Sequence, residues 1–291
     1  MRMLARRLLL IIAICWSAMA QGVETVRFPD YPDINKAFFL AVLQLALDKS
    51  GQQYTLSPVV PKMLQGRSIA LAMAPGGNLD VLWTMTTRER EAQLIPVRLP
   101  VDRGLLGWRI ALLRQDNAAL FARVRTVQDL RYFTAGQEHD WPDTGILRGS
   151  GLPVIAVTRY ESLFSMLAAK RFHYFPRGVT EAWAELDAHP GLGLTVDGFI
   201  ALHYPAAEYF FVTPGKPYLA VHIQQGLQRA QADGSFDRLF HEHFDPILQR
   251  ARLSQRRILE LPNPLIDAGS LLPADSPWWY HPERPVPVKP N

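Results

Sequence analysis

Apolar positions along the chain fall into short runs that alternate with amphipathic stretches, the pattern of an α/β protein. A strand is expected at residues 23–27, followed by "YPDINKAFFLAVLQLALDKSG". In that stretch Asp33 suits an N-cap, Phe38, Leu43, Leu45 and Leu47 fill a helix, and Gly51 ends it. "YTLSPVV" reads as a strand, "MLQGRSIALAMA" as a helix, and "LDVLW" as a short buried strand closed by the turn "TMTTRERE". Connections this short suit right-handed βαβ units.

From Leu105 the run "LLGWRIALLR" is long and apolar enough to leave one lobe for another, and a second βα series follows. It comprises "VQDLRYFTAG", "DTGILRGSG" ahead of "PVIAV", the helix "RYESLFSMLAAK", the strand "FHYF" and the helix "VTEAWAEL". "AEYFFVTPG" then crosses back, and "PYLAVHIQQGLQRAQADGSFDRLFHEHF" gives two helices broken at Asp233-Gly234. Two crossings predict two lobes and a two-strand hinge. The expected boundaries are 21–108 plus 212–262 for the first lobe and 109–211 for the second. A proline-rich tail occupies 263–291, with Trp278, Trp279 and Tyr280 pinning part of it to the body.

The N-terminus changes how the charge is read. Arg2, Arg6 and Arg7 precede an apolar run at 8–16 and then Ala18-Met19-Ala20, a secretory signal peptide with cleavage after residue 20. The run falls short of the roughly 20 apolar residues that span a bilayer. Its removal takes three arginines from a net charge of +4, together with the single cysteine, Cys15. The basic balance is then no argument for nucleic-acid binding, and disulfides, thiol nucleophiles and cysteine metal sites are excluded. A soluble periplasmic monomer is expected.

The order of these elements, with "LDVLW" before Thr84-Met85-Thr86-Thr87-Arg88-Glu89-Arg90, "TVQDLRYFTAG" opening the second lobe and "GLQRAQADGSFDRLF" on the return, resembles the family 3 periplasmic solute-binding proteins. The resemblance covers nearly all of residues 24–250. It implies a type II periplasmic-binding-protein fold: two α/β lobes, a two-strand hinge and a small ligand in the cleft, where strand ends and helix N-termini present unpaired N–H groups. It implies no cofactor. The partners it implies are a small-molecule ligand and a membrane permease of the ABC type or, alternatively, a membrane signalling protein that reads the closed form.

The family's carboxylate-binding arginine maps onto Arg90, or onto Arg88 if the loop register differs; a planar guanidinium pairs both carboxylate oxygens. The other reading of "RERE" is a solvated helical turn. Thr84, Thr86 and Thr87 match the family's hydroxyl contacts in kind, and are equally ordinary caps. Gly136 and Gln137 fall where the second lobe presents backbone N–H groups. Tyr31, Trp83 and Trp141 are candidate wall residues.

One departure concerns the ligand. Where amino-acid binders carry an aspartate for the ligand's ammonium, "KRFHYFPRGVTEA" puts Arg177 or Gly178, with Glu181 the nearest acid. If Arg90 and Arg177 face each other at ~8 Å, they repel by about 2 kcal/mol at an effective dielectric near ~20. An anionic or carboxylate-bearing ligand would relieve that and make closure conditional on binding. The alternative is a plain i,i+4 pair of Arg177 with Glu181.

Catalytic and metal-binding patterns are missing. His241 and His243 in "HEHF" point about 200° apart on a helix and cannot clamp one metal. H-E-x-x-H, G-x-S-x-G and phosphate-cradling glycine loops do not occur. The expected function is non-enzymatic capture of a small polar solute, with an enzyme built on the same fold as a further alternative.

Overall fold

The computed structural model describes residues 23–30, 33–60, 65–74, 76–267 and 269–282. The expected leader, Tyr31 and the end of the tail lie outside the described residues.

The chain opens with a βαβ unit. Strand β1 (Glu24–Pro29) leads to helix α1 (Lys36–Ser50) and to β2 (Tyr54–Val59), parallel to β1 with Glu24 opposite Tyr54. Helix α1 buries Phe38, Phe39, Val42, Leu43, Ala46 and Leu47 along one face, and Gly51 ends it at φ 88°, where an L side chain would be strained. The helix starts later than Asp33 predicts. Asn35 takes the N-cap place, while the Asp33 carboxylate accepts the Asn35 backbone N–H at 2.8 Å and the Trp83 indole N–H at 2.7 Å. Next come α2 (Gln65–Met73), β3 (Val81–Met85), α3 (Arg88–Gln93) and β4 (Ile95–Val97). Every residue of β3 is buried, Thr84 included, which is why its first three residues read as an apolar run without polar alternation.

Strand β5 (Trp108–Arg114) is the centre of the second lobe. After it come α4 (Val127–Leu130), opened by a capping box of Thr126 and Asp129, then β6 (Ala135–Glu138), α5 (Pro142–Gly149) and β7 (Val154–Val157), with β6 and β7 parallel. Helix α6 (Ser162–Ala168) precedes β8 (Phe175–Gly178), and α7 (Ala182–Ala188) precedes β9 (Leu194–Val196) and β10 (Ile200–His203). Strands β8, β9 and β10 all pair antiparallel with β5.

The return strand β11 (Glu208–Val212) lies between β3 and β4, antiparallel to both; α8 (Pro217–Ala232) packs on β4 and β11, and α9 (Ser235–Ala251) packs on α8 and α1. Gly226 lets α8 meet α1, since a Cβ there would lie 1.7 Å from the Ala46 carbonyl oxygen. Strand β12 (Arg257–Glu260) then adds to the second lobe in parallel with β10. Strand membership therefore departs from the expected boundaries in two places: 208–211 belongs with the first lobe and 257–260 with the second. Runs such as "EYFFV", apolar on both faces, do not themselves say which sheet receives them.

The tail touches both lobes. Asn263 donates to the Pro205 carbonyl, and Pro264 and Leu265 pack on Gly149 and Gly145 of α5. On the first-lobe side Tyr209 donates to the Ser270 carbonyl and Trp278 packs on Phe236 at 4.9 Å. The crossover at Arg103 accepts the Tyr280 backbone N–H. Among the described residues no helix is long and apolar enough to cross a membrane.

Candidate functional site

A cavity of about 490 Å³ lies between the lobes. Its first-lobe wall includes Asp33, ahead of α1, and Glu208, which opens β11; the second-lobe wall includes Arg109 on β5, Glu138 at the end of β6 and Arg177 on β8. Asp102, in the outgoing crossover, accepts the backbone N–H groups of Gly104 and Leu106 at 2.9 and 2.6 Å. Apolar surface comes from Phe39, Phe244, Trp141 and Tyr160. Nine carboxyl groups line the cavity against two guanidinium groups and one imidazole.

Both guanidiniums are already committed. Arg177, only 4% exposed, donates from Nε to Glu185 Oε2 at 2.6 Å and from Nη2 to Glu185 Oε1 at 2.5 Å, with Glu181 Oε2 at 3.2 Å. Its planar head sits 4.5 Å from the Trp141 ring centroid and 5.0 Å from that of Phe175. Burial works against its charge, but Glu181 and Glu185 outweigh it and raise the Arg177 pKa well above its ordinary value. Arg109 donates from Nε to the Tyr204 hydroxyl at 2.8 Å and pairs with Asp143 at 2.8 Å and Glu181 at 3.5 Å. Its Nη2 has no aligned acceptor and is sealed from solvent. Glu181 thus sits between the two arginines, which overcome its burial and hold its pKa below the usual value.

Several remaining acids lack such partners. Burial pushes Asp33 up to about 6, against the opposing hydrogen bonds from Trp83 and Asn35. Asp102 rises to about 6 by burial, against its backbone donors. Glu138 rises to about 7 through burial and then the neighbouring Asp140. Glu208 is driven well above the carboxylate range by burial, and further by Asp102, Asp33 and Glu181. The helix N-termini expected to welcome an anion carry acids instead: Asp33 precedes α1, Asp143 lies in the first turn of α5, and Glu181 precedes α7.

Of the residues expected to form the site, Arg177 and Trp141 line the cavity. Arg90 is buried below it, donating from Nη1 to Thr84 Oγ1 and the Met85 carbonyl and from Nη2 to Gln65 Oε1; Gln65 itself reaches the cavity. Arg88 points away and holds the tail through the Pro264 and Ile266 carbonyls and Asp267. Thr84 is buried, Thr86 donates to Glu91, and Thr87 caps α3 by accepting the Arg90 N–H. Trp83 is fully buried and acts on the cleft through Asp33. The space a side chain would need at Gly136 is filled by the Phe172 ring, 2.3 Å away, and Gln137 donates to the Pro176 carbonyl at 3.4 Å. Two arginines facing each other across the cleft, the premise for an anionic ligand, do not occur: Arg177 is neutralised within its own lobe.

Sequence reasoning missed Glu208, Asp102, Glu138 and Arg109. The one available signal was an isolated acid at the head of an apolar run, as in "EYFFV". For a metal, Glu138, His139 and Asp140 each offer one ligand atom within 4.8 Å of the others, His139 and Asp140 being exposed.

No family model matches the chain, and no curated protein matches it. Solved structures do. An ancestral arginine-binding protein bound to arginine aligns with a TM-score of 0.55 at 18% identity, covering 77% of this chain and 99% of its own. A histidine kinase sensor domain with similarity to periplasmic binding proteins gives 0.55 at 15%, covering 77% and 96%. An ancestral amino-acid-binding protein, a precursor of cyclohexadienyl dehydratase, gives 0.53 at 16%, covering 78% and 97%. Identities this low speak for the fold: the chain has the two-lobed α/β fold of periplasmic binding proteins, and its resemblance to family 3 holds at that level.

Proposed function

We propose that this chain is an exported, non-enzymatic solute-binding protein that captures a small, positively charged polar solute as its lobes close. The observation that carries the reading is the cavity itself, walled by both lobes and a crossover, with surplus carboxyl groups and both guanidiniums internally paired. The sign of the ligand is thereby reversed from the anion expected on sequence grounds. A cation entering this cleft meets acids whose charge is disfavoured by burial, and it stabilises their charged forms. The leader-like N-terminal run supports export.

Capture is the same first step whether the closed form meets an ABC-type permease or a membrane signalling protein. The likeness to a kinase sensor domain keeps signalling as the second reading. An enzymatic role would draw on Glu138, whose raised pKa suits proton transfer, and would show as ligand turnover. The test is a thermal-shift screen of the leader-free protein against amines, amino acids, di- and tricarboxylates, organic phosphates and sugars, since a ligand of the folded state raises Tm. Cationic solutes are expected to raise it. Stabilisation by anions alone would refute the assigned sign, and conversion of the bound solute to a product would refute the non-enzymatic role.

A further inference from the structure

We propose that the solute is an organic diamine, carrying an ammonium group at each end and no carboxylate, with one end held by Glu208 and the other by Glu138. This rests on the binding-protein reading above and narrows it.

Glu208 opens β11 and is 8% exposed; Glu138 closes β6 in the opposite lobe and is 6% exposed. Both line the cavity. Among the described residues neither side chain makes a hydrogen bond or an ion pair, whereas the cleft's other deeply buried acids are engaged: Asp143 and Glu185 by arginine and tyrosine side chains, Asp102 by the backbone N–H groups of Gly104 and Leu106. A buried carboxyl without a donor is unfavourable, and an ammonium group with three N–H donors supplies what is missing. Two such acids on opposite walls ask for two ammonium groups. The Phe39, Phe244, Trp141 and Tyr160 surfaces that line the same cavity suit a methylene chain and a cation near an aromatic face.

The absence of a ligand carboxylate follows from the cations. Arg177 spends its fork on Glu185 and Glu181, and the one unaligned nitrogen of Arg109 cannot be reached from the cavity. His189 is engaged by Glu161 and the Glu185 carbonyl. With acids placed at the N-termini of α1, α5 and α7, a ligand carboxylate would meet like charge wherever the fold could otherwise have received it.

The experiment is calorimetric titration and thermal shift of the whole leader-free chain with diaminobutane and diaminopentane, set against butylamine, lysine, glutamate, calcium chloride and zinc chloride. Lysine is diaminopentane with one added carboxylate, so that pair isolates the carboxylate. A diamine is expected to bind saturably, about tenfold or more tighter than butylamine or lysine, with glutamate inert. Glu208→Gln and Glu138→Gln should each weaken diamine binding about tenfold or more while circular dichroism reports an intact fold. Lysine binding as tightly as diaminopentane overturns the inference and leaves the binding-protein reading standing. Binding of zinc or calcium in place of every amine assigns Glu138 to a metal and likewise overturns it. Silence of all amines overturns it too, and the binding-protein reading falls with it only if the broader solute screen is also silent.

Discussion

Raising the pH from about 5 to about 8 should destabilise the empty protein, the opposite of what salt-bridged carboxylates produce. Burial lifts the Asp33 carboxyl from its ordinary 3.8 to about 6, ahead of the hydrogen bonds from Trp83 and Asn35 that pull the other way. The charged form is thereby disfavoured in the folded state by about 3 kcal/mol. Below about pH 3 the group is protonated in both states and almost nothing is lost; above about pH 7 nearly the whole penalty applies. Roughly half of it, about 1.4 kcal/mol, falls between about pH 5 and about pH 8. Asp102, Glu138 and Glu208 are raised as well and add with the same sign. Burial holds His243 below its usual value, which opposes the trend, while Asp80 and Glu181, held low by their cationic partners, are already ionised throughout this window. For a chain of this size about 1 kcal/mol moves Tm by about 2–4 °C, so Asp33 alone should lower Tm by about 3–6 °C and the other raised acids should deepen the fall. Thermal melts followed by circular dichroism at constant ionic strength make the measurement. A flat or rising Tm would refute the idea that these cleft acids are desolvated without compensating cations, and saturating diaminobutane should reduce the slope by favouring their charged forms.

Three substitutions test other parts of the structure. Arg177→Ala strips buried Glu185 of its cation, leaving Glu181 only Arg109, and should cost about 3–5 kcal/mol in urea unfolding; a loss under about 1 kcal/mol would mean that water reaches the cluster. Arg88→Ala removes only exposed contacts to the tail, so stability should change by less than about 1 kcal/mol and ligand affinity should not change; a large loss of affinity would return Arg88 to the cleft. Trp278→Ala empties a site that is 7% exposed against Phe236 and should lower stability by about 3 kcal/mol, whereas a neutral result would show that the tail does not hold the first lobe.

The fold was legible where one local rule governed each element. Helix α1 announces itself by its apolar period and Gly51, and the buried strand β3 shows in the apolar residues of "LDVLW". Strand partners were harder. Nothing within "RILE" says that β12 adds to β10 after two first-lobe helices, because parallel pairing is decided by the partner's free edge and by no pattern inside the strand. The tail's path depends on Gly145 and Gly149 lying bare on α5, a packing opportunity visible only once the lobe is built.

The site was less legible for a different reason: charge in a cleft is a sum over segments far apart in sequence, and each residue read alone misleads about the sum. Arg177 marked the right place, since it does line the cavity and its i,i+4 contact with Glu181 is present. Its stronger partner, Glu185, lies a further helical turn along α7, and together the two acids convert a lone cation into a cluster with a net negative charge. The same holds for Arg109, balanced by Asp143, which is distant in sequence. Arginines were taken as the ligand's counter-ions although the fold had already supplied theirs. What remains for a ligand is set by the groups left over after internal pairing, and here those groups are Glu208 and Glu138, acids in a cleft whose helix N-termini have been given to other acids. A cleft built this way is held closed most comfortably around a cation or, in its absence, around the protons that burial forces onto its carboxyl groups.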